Sequence, residues 1–189
     1  MEIDFGAQDK MSFLRNLFKK KIKQATITIC GLDKAGKTTI VRFLLAGEHK
    51  DTFPTMGVNR EVIALPHFEL DIFDLGGQED FRPMWSEINE QSDGLIYVVD
   101  STDHFRLQES KEIFHTIIST QIRKHIPILI LLNKFDLDNR INRTEFVKEF
   151  ALINLDLTWA CFDTSALTGQ GLYDSFEWFI NQLQESNIS

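Results

Sequence analysis

Residues 31–38 read GLDKAGKT, which matches the pattern G-x-x-x-x-G-K-[ST]. The octapeptide follows a predicted strand, Ala25–Cys30, and runs into a predicted helix, Lys37–Ala46. In such a loop the backbone N–H groups surround a phosphate, Lys37 reaches the β and γ phosphates, and Thr38 offers a hydroxyl to Mg²⁺. A plain glycine turn is the alternative, and the strand–loop–helix context disfavours it. The segment therefore predicts a nucleoside triphosphate site in an α/β fold.

Outward from this loop, short apolar runs alternate with longer mixed segments, which is typical of a doubly wound α/β sheet. The run at 128–132 is apolar without alternation, as a parallel strand covered on both faces requires. The connector at 66–68 is too short for a crossover and predicts an antiparallel hairpin. We expect a six-stranded, mostly parallel sheet with one antiparallel hairpin strand and helices on both faces. The predicted strands are Ala25–Cys30, Glu61–Leu65, Glu69–Phe73, Gly94–Asp100, Ile128–Asn133 and Trp159–Thr164, and the predicted helices are Lys37–Ala46, Phe81–Gln91, Phe105–Lys124, Arg143–Phe150 and Leu172–Glu185.

Composition limits the class of protein. The chain has 189 residues, about the size of one domain. Its 43% of hydrophobic residues argues against a disordered or fibrous protein. The apolar runs are far shorter than the ~20 residues of a transmembrane helix. Two cysteines are too few for a disulfide framework, and no segment reads as a secretion signal, so we expect a cytoplasmic protein.

The net charge of −8 is unevenly distributed. Residues 10–23 hold six basic side chains and no acidic one, whereas the rest of the chain holds 14 basic and 28 acidic residues. An acidic body repels nucleic acid phosphates, so no nucleic acid partner is expected. We predict a basic N-terminal arm over residues 1–23 and one folded domain over residues 24–189.

The tetrapeptide NKFD at 133–136 predicts which base is bound. The carboxylate of Asp136 can accept from both N1–H and the exocyclic amine of guanine, a donor pair that adenine lacks. The first two residues of the tetrapeptide can tie this loop to the phosphate loop. TSAL at 164–167 supplies a second wall, with the Ala166 amide facing the guanine carbonyl oxygen. By itself this last segment reads equally well as a strand-to-helix loop with a serine cap.

Two further segments predict contacts to the γ-phosphate and its metal. DLGGQ begins at Asp74, which is placed to hold Mg²⁺ through water, while the Gly77 amide can bind the γ-phosphate. Gln78 can orient an attacking water. PTMG at 54–57 precedes the hairpin and offers Thr55 as a second hydroxyl for Mg²⁺. Without the other motifs, PTMG would be read as a simple Pro-Thr turn.

Together these motifs resemble the small GTPases of the Arf and Sar family over roughly residues 25–183. The double glycine before Gln78, and Asp33 in the phosphate loop, resemble Arf more than Ras or Rab proteins. Gln78 also separates the chain from the Sar branch, which has His there. The matched motifs are GLDxAGKTT at 31–39, PTxG at 54–57, DxGGQ at 74–78, RPxW at 82–85, GLIxVVDS at 94–101, NKxD at 133–136 and GxGLY at 169–173.

The resemblance implies a P-loop small G domain that hydrolyses GTP to GDP, slowly unless an activating protein supplies an arginine. Gln78 and Lys37 are expected to act in catalysis. Thr38, Thr55 and, through water, Asp74 are expected to hold Mg²⁺. The resemblance also implies a monomer with an exchange factor and a GTPase-activating protein as partners, its effectors being unknown. GTP or GDP is expected to contact Asp33, Lys34, Ala35, Gly36, Lys37, Thr38, Thr39, Thr55, Gly77, Asn133, Lys134, Asp136, Ser165, Ala166 and Leu167.

Two departures from the family pattern bear on partners and on the phosphate loop. Arf proteins usually present three aromatic side chains to effectors, and the matching positions here are Val58, Phe73 and Ile88. Lys34 occupies a place where a small or polar residue is commoner. It either adds positive charge near the phosphates or points to solvent.

The basic arm at 10–23 predicts an amphipathic helix. Leu14, Leu17 and Phe18 share one face, and most of the basic side chains lie opposite. Insertion into an anionic membrane interface is one interpretation, and a helix packed on the body of the protein is the other. We expect reversible membrane association in the GTP state, held by this helix alone.

Two other functions compete with a GTPase switch. A guanine-nucleotide-bound adaptor with negligible hydrolysis would act only by recruiting partners, but it would have no reason to keep Gln78. An ATP-using P-loop kinase is disfavoured by NKFD at 133–136 and by the lack of a lid-like basic segment. The sequence therefore favours a GTP-dependent switch that recruits effectors for membrane trafficking or organisation.

Overall fold

The computed structural model describes residues 24–46, 55–65 and 68–186. The predicted arm at 1–23 and the proline of the PTMG segment lie outside these described residues. The strands are β1 (Gln24–Cys30), β2 (Val58–Leu65), β3 (Phe68–Leu75), β4 (Gly94–Asp100), β5 (Ile128–Asn133) and β6 (Trp159–Asp163). The α-helices are α1 (Lys37–Ala46), α2 (Trp85–Gln91), α3 (Leu107–Thr120), α4 (Arg143–Glu149) and α5 (Leu172–Ser186).

The six strands form one sheet in the order β2-β3-β1-β4-β5-β6. Only β2 and β3 pair antiparallel, with Val58 opposite Leu75 and Leu65 opposite Phe68. The other four pairings are parallel. The predicted fold class, including the antiparallel hairpin strand, is therefore confirmed.

The central strands carry two hydrophobic cores, one on each face of the sheet. In β5, Leu129 and Leu131 face the core formed with α1 and α5, where Phe179 is fully buried. Ile128 and Ile130 face the opposite core, formed with α2, α3 and α4. Each such side chain contributes about 1.5–3 kcal/mol when it is fully buried. Burial on both faces explains why β4 and β5 are apolar without alternation.

Two predicted helices begin differently in the structure. The predicted helix Phe81–Gln91 is a 3-10 segment, Glu79–Met84, followed by α2. Pro83 lies inside the 3-10 segment, and proline lacks the N–H that a continuous α-helix needs. The predicted helix Phe105–Lys124 begins only at Leu107 and ends at Thr120. A 3-10 turn precedes it, in which the Asp103 side chain accepts from the Arg106 N–H.

The two cysteines differ in burial. Cys30 ends β1 directly before the phosphate loop and is fully buried, whereas Cys161 in β6 is half-buried. Burial raises the pKa of Cys30 to about 12, even though the nearby Lys37 charge favours the thiolate. Burial, together with the charge of Asp163, raises the pKa of Cys161 to about 12 as well. Both thiols are therefore protonated near neutral pH.

The sheet brings the predicted functional segments to one edge. Parallel strands point their carboxyl ends the same way, and ligands of open α/β folds bind beyond those ends. The phosphate loop follows β1, Asp74 lies near the end of β3, and Asn133 ends β5. None of the described helices is long and apolar enough to cross a membrane.

Candidate functional site

Lys37 is a buried cation enclosed by the phosphate loop. Its Nζ donates to the carbonyl oxygens of Gly31 at 2.9 Å and Leu32 at 2.8 Å. Burial lowers the pKa of Lys37 to about 8, although the Asp74 carboxylate favours the charged form. A cation desolvated to this degree gains strongly from a second anion in reach. The arrangement can bind a phosphate group over the loop.

The phosphate loop is joined to the NKFD loop by a buried hydrogen bond. Asn133 Nδ2 donates to the Ala35 carbonyl at 2.8 Å. Gly36 lies beneath this amide with φ +95°, and a side-chain carbon there would overlap Asn133 Nδ2. Glycine is required both for the backbone conformation and for the close approach. The predicted tie between the two loops is therefore present for Asn133, whereas the Lys134 ammonium binds Asp100 instead of the phosphate loop.

Three oxygen-bearing side chains meet beside the phosphate loop. Thr38 Oγ1 donates to Asp74 Oδ2 at 2.6 Å, and Thr55 Oγ1 lies 2.8 Å from Thr38 Oγ1 and 3.3 Å from Asp74 Oδ2. Burial raises the pKa of Asp74, although the two hydroxyls and the Lys37 charge oppose the rise. Among the described residues, none donates to the buried Asp74 Oδ1. A hard cation such as Mg²⁺ prefers oxygen ligands of this kind, so these residues fit it.

The backbone after Asp74 is held on both sides. The Gly76 N–H donates to the Gly57 carbonyl at 2.7 Å, and Trp85 Nε1 donates to the Gly76 carbonyl at 3.1 Å. A side-chain carbon at Gly77 would overlap the Asp33 amide nitrogen, so the two backbones touch. Gln78 follows and is exposed. This brings an exposed glutamine next to the predicted γ-phosphate position.

The loops predicted to bind the base are already linked to one another. Lys134 Nζ donates to Asp100 Oδ2 at 2.5 Å, and Ser165 Oγ donates to Asp136 Oδ1 at 2.5 Å. Burial alone would raise the pKa of Asp100, but the hydrogen bonds from Lys134 and Thr102 outweigh it and hold the pKa below its usual range. The carboxylate of Asp136 is therefore positioned by a serine from the neighbouring loop.

The two residues predicted to border the base after β6 are Ala166 and Leu167. The Ala166 amide, expected to face the base, donates to Asn133 Oδ1 at 2.9 Å. This hydrogen bond forms because a buried N–H needs an acceptor, and the Asn133 side chain supplies one. Leu167 is exposed beside it. Sequence reasoning missed Ser101, whose N–H and Oγ both donate to the Asn133 carbonyl, at 3.0 and 2.7 Å.

Lys34 is exposed, in a left-handed conformation with φ 63°. Of the two alternatives for this residue, the exposure favours a side chain directed to solvent. Thr39, another predicted nucleotide contact, lies in the first turn of α1.

The three positions that match the effector-facing aromatics are partly buried. Val58, Phe73 and Ile88 pack against the core that contains α2, α3 and α4. Large apolar side chains are exposed nearby at Met56, beside Thr55, and at Met84. Sequence reasoning missed these methionines, because Met56 lies in the PTMG segment and Met84 lies in the predicted helix Phe81–Gln91, where an apolar residue signals burial.

Comparison with known proteins agrees with this geometry. The model of the ADP-ribosylation factor family matches residues 10–183. The fold is similar to the solved structure of the Arl6 (BBS3) small GTPase from Trypanosoma brucei with the bound nucleotide analogue GppNp, with a TM-score of 0.79. The two share 28% sequence identity over 86% of this chain and 99% of that one. The resemblance read from the motifs is confirmed, and the chain belongs to the ADP-ribosylation factor family of small GTPases.

Proposed function

We propose that this chain is a Mg²⁺-dependent switch that hydrolyses GTP to GDP and responds to the γ-phosphate through Thr55 and Gly77. Family membership supports a guanine-nucleotide switch in general. The observation that carries the more specific proposal is the cluster of the Thr38 and Thr55 hydroxyls on Asp74 Oδ2. The other carboxylate oxygen, Asp74 Oδ1, is buried and has no donor among the described residues. A segment before the hairpin thereby reaches both the phosphate loop and the end of β3.

The phosphate half of the site binds through charge and backbone amides. Lys37 exchanges its contacts with the loop carbonyls for the β and γ phosphates, and the loop N–H groups donate to the same oxygens. Thr38 and Thr55 would hold Mg²⁺ directly, and Asp74 would hold it through water. When bound, Mg²⁺ neutralises charge on the phosphates and orients them.

Hydrolysis depends on the segment that follows Asp74. The Gly77 N–H binds a γ-phosphate oxygen, and the Gln78 amide orients the attacking water. Lys37 is the cation that this chain contributes between the phosphates. An arginine from an activating protein would raise the hydrolysis rate by a factor of about 10³–10⁵. We therefore expect slow intrinsic turnover and a strong dependence on a partner.

Guanine selectivity follows from Asp136 and its partner Ser165. The serine donates to one carboxylate oxygen, which fixes the plane of the carboxylate. The carboxylate then accepts from N1–H and the exocyclic amine of guanine. Ala166 and Leu167 border the same loop.

Partner and membrane contacts form the outer part of the proposal. The exposed side chains of Met56 and Met84 provide an adaptable apolar surface for an effector beside the nucleotide. The basic arm at 10–23 would insert its apolar face into an anionic membrane in the GTP state. A cytoplasmic protein that binds membranes reversibly would result.

The experiment for the central proposal compares Thr55→Ala with Thr55→Ser. We expect Mg²⁺ to strengthen binding of a non-hydrolysable GTP analogue to the parent and to the serine variant. Thr55→Ala should lose that gain while its affinity for GDP stays within about twofold, because only the γ-phosphate state uses this hydroxyl. Equilibrium titration with fluorescent nucleotides measures both. Equal Mg²⁺ dependence in all three proteins would contradict the proposal.

A further inference from the structure

We propose that the start of α3 carries two positioning residues, Arg106 directly before the helix and Glu109 in its first turn, which hold the two walls of the phosphate site against each other. The inference rests on the proposed GTPase function. One wall is the phosphate loop, and the other is the backbone at Gly77 and Gln78. Both proposed residues lie outside the motifs from which the site was predicted.

Arg106 grips the phosphate loop at Asp33. Its Nη1 lies 2.7 Å from Asp33 Oδ1, and its Nη2 donates to the Asp33 carbonyl at 3.3 Å. The guanidinium is oriented by Asp103, whose Oδ2 accepts from Arg106 Nε at 2.7 Å. A planar guanidinium held at three of its donors has a fixed direction. Arg106 therefore fixes both the side chain and the backbone of Asp33.

Glu109 reaches the other wall through Arg82. Its Oε1 accepts from Arg82 Nη2 at 2.7 Å, and Arg82 Nε donates to the Gly77 carbonyl at 3.4 Å. The carbonyl of Gly77 belongs to the peptide unit that leads into Gln78, so its direction sets the plane from which Gln78 projects. Glu109 thus acts on Gln78 through Arg82.

The two walls touch at the point that these contacts support. Gly77 lies against the Asp33 amide nitrogen so closely that a side-chain carbon would not fit. Arg106 holds Asp33 from one side and Arg82 holds Gly77 from the other. Arg106 ends the 3-10 turn that leads into α3, and Glu109 lies in the first turn of α3, so one short segment supplies both contacts.

This helical turn is itself anchored in the core. Tyr97 Oη in β4 donates to the Ser110 carbonyl at 2.8 Å in a buried hydrogen bond. The Tyr97 ring meets Phe114 edge to face, with 5.1 Å between centroids. A close-packed core resists small displacements. The start of α3 is therefore a fixed platform for the phosphate loop and the Gln78 segment.

The two contacts predict separable effects. Loss of Glu109 should leave the phosphate loop in place and disturb only the orientation of Gln78. Hydrolysis should then slow while nucleotide affinity is kept. Loss of Arg106 should loosen Asp33 and speed the dissociation of GDP and of a GTP analogue alike.

The first test measures single-turnover GTP hydrolysis in Glu109→Ala, Glu109→Gln, Arg82→Ala and the double variant Glu109→Ala/Arg82→Ala. We expect Glu109→Ala to be slower by about tenfold, with GDP affinity within about twofold of the parent. Glu109→Gln should recover most of the rate, since its amide oxygen still accepts from Arg82. The double variant should be no slower than Arg82→Ala alone, because the two residues act in series.

The matched control is Glu112→Ala, one turn along the same helix, where the carboxylate accepts from Gln108. It should keep the parent rate. Parent-like hydrolysis in Glu109→Ala would overturn the positioning role of Glu109. Additive losses in the double variant would overturn its action through Arg82.

The second test compares nucleotide dissociation in Arg106→Ala, Arg106→Lys and a control, Arg123→Ala. Arg123 pairs with Asp93 at 2.8 Å at the opposite edge of the sheet. We expect about tenfold faster release of both nucleotides from Arg106→Ala, partial recovery in Arg106→Lys, and parent-like release from Arg123→Ala. Equal release from Arg106→Ala and Arg123→Ala would overturn the role of Arg106.

The parent protein and Gln78→Leu separate this inference from the proposed function. The inference alone would be overturned if the parent hydrolyses GTP and Gln78→Leu slows this hydrolysis, while the Glu109 and Arg106 variants behave like the parent. A parent with no measurable hydrolysis would overturn the proposed function, and the role given to Glu109 with it.

Discussion

The phosphate half and the base half of the site differ in how far their polar groups are satisfied. In the phosphate half, the buried Lys37 has a pKa lowered to about 8, and burial raises the pKa of Asp74. In the base half, Lys134 pairs with Asp100, and Ser165 donates to Asp136. The difference teaches that the phosphate half holds charges that gain from a bound anion and cation. The base half is already assembled by its own contacts.

The largest effect is expected when the buried charge of the phosphate half is removed. Lys37→Ala should weaken GDP binding by about a hundredfold, or ~3 kcal/mol, because a desolvated cation no longer faces the phosphates. Lys34→Ala removes the same charge from an exposed side chain in the same loop and should change affinity by less than about threefold. Isothermal titration with GDP compares them, and similar losses in both variants would break the contrast.

The base half should respond in selectivity. Asp136→Asn should lose guanine nucleotides and gain xanthine nucleotides, because an amide donates to the 2-oxo group that xanthine carries. We expect about a tenfold or larger shift in the GDP-to-XDP affinity ratio, since one hydrogen-bond pair exchanges donor for acceptor. Competition binding with GDP and XDP measures the ratio. An unchanged ratio would remove Asp136 from the base site.

A third prediction separates binding from chemistry within the phosphate half. Gln78→Leu should slow single-turnover hydrolysis by about tenfold or more and leave GTP affinity near the parent value, since only the positioning of water is lost. Rapid quench with labelled GTP follows the rate. The hypothesis of an adaptor with negligible hydrolysis would gain support if parent and variant turned over equally slowly.

The smallest effect concerns the stability of the base half. The pKa of Asp100 is held below its usual range, so the Asp100–Lys134 pair stabilises the fold above the unfolded pKa of about 3.9. That contribution is lost as pH falls through the folded pKa. Asp100→Asn should therefore lower the unfolding free energy by about 1 kcal/mol at pH 7, with the difference disappearing in strong acid.

Urea unfolding at both pH values measures the effect of Asp100→Asn. Asp174→Asn on the exposed face of α5 is the control and should change little at either pH. A loss for Asp100→Asn that persists in acid would show that the ion pair is not its cause.

The sequence predicted the fold and the principal site segments because their signals are local. GLDKAGKT follows β1, DLGGQ begins in the last two residues of β3, and NKFD begins at the last residue of β5. Parallel strands bring their carboxyl ends to one edge. The short connector between β2 and β3 similarly forced an antiparallel pair. For these parts, chain order and side-chain chemistry were enough.

Long-range side-chain pairs carried no such signal. Arg106 meets Asp33 across 73 positions, and Glu109 meets Arg82 across 27. Each pair is set by how α3 packs on the sheet. The bond from the Ala166 amide to Asn133 Oδ1 also had no local signal, because its acceptor is a side chain from another loop. Helix starts near Pro83 and Asp103 depended on backbone geometry that apolar periodicity does not encode.

The fully buried Cys30 at the end of β1 allows the stability of the strand before the phosphate loop to be measured by the rate of thiol alkylation. Alkylating reagents react with the thiolate, and a thiol with a pKa of about 12 yields almost none near neutral pH. Labelling therefore has to wait for a local opening of β1, and its rate measures the free energy of that opening. Since the phosphate loop begins at the next residue, a bound nucleotide should lower the rate of Cys30 alkylation. The alkylation rate of Cys30 thus measures how much each bound nucleotide stabilises β1, the strand that leads into the phosphate loop.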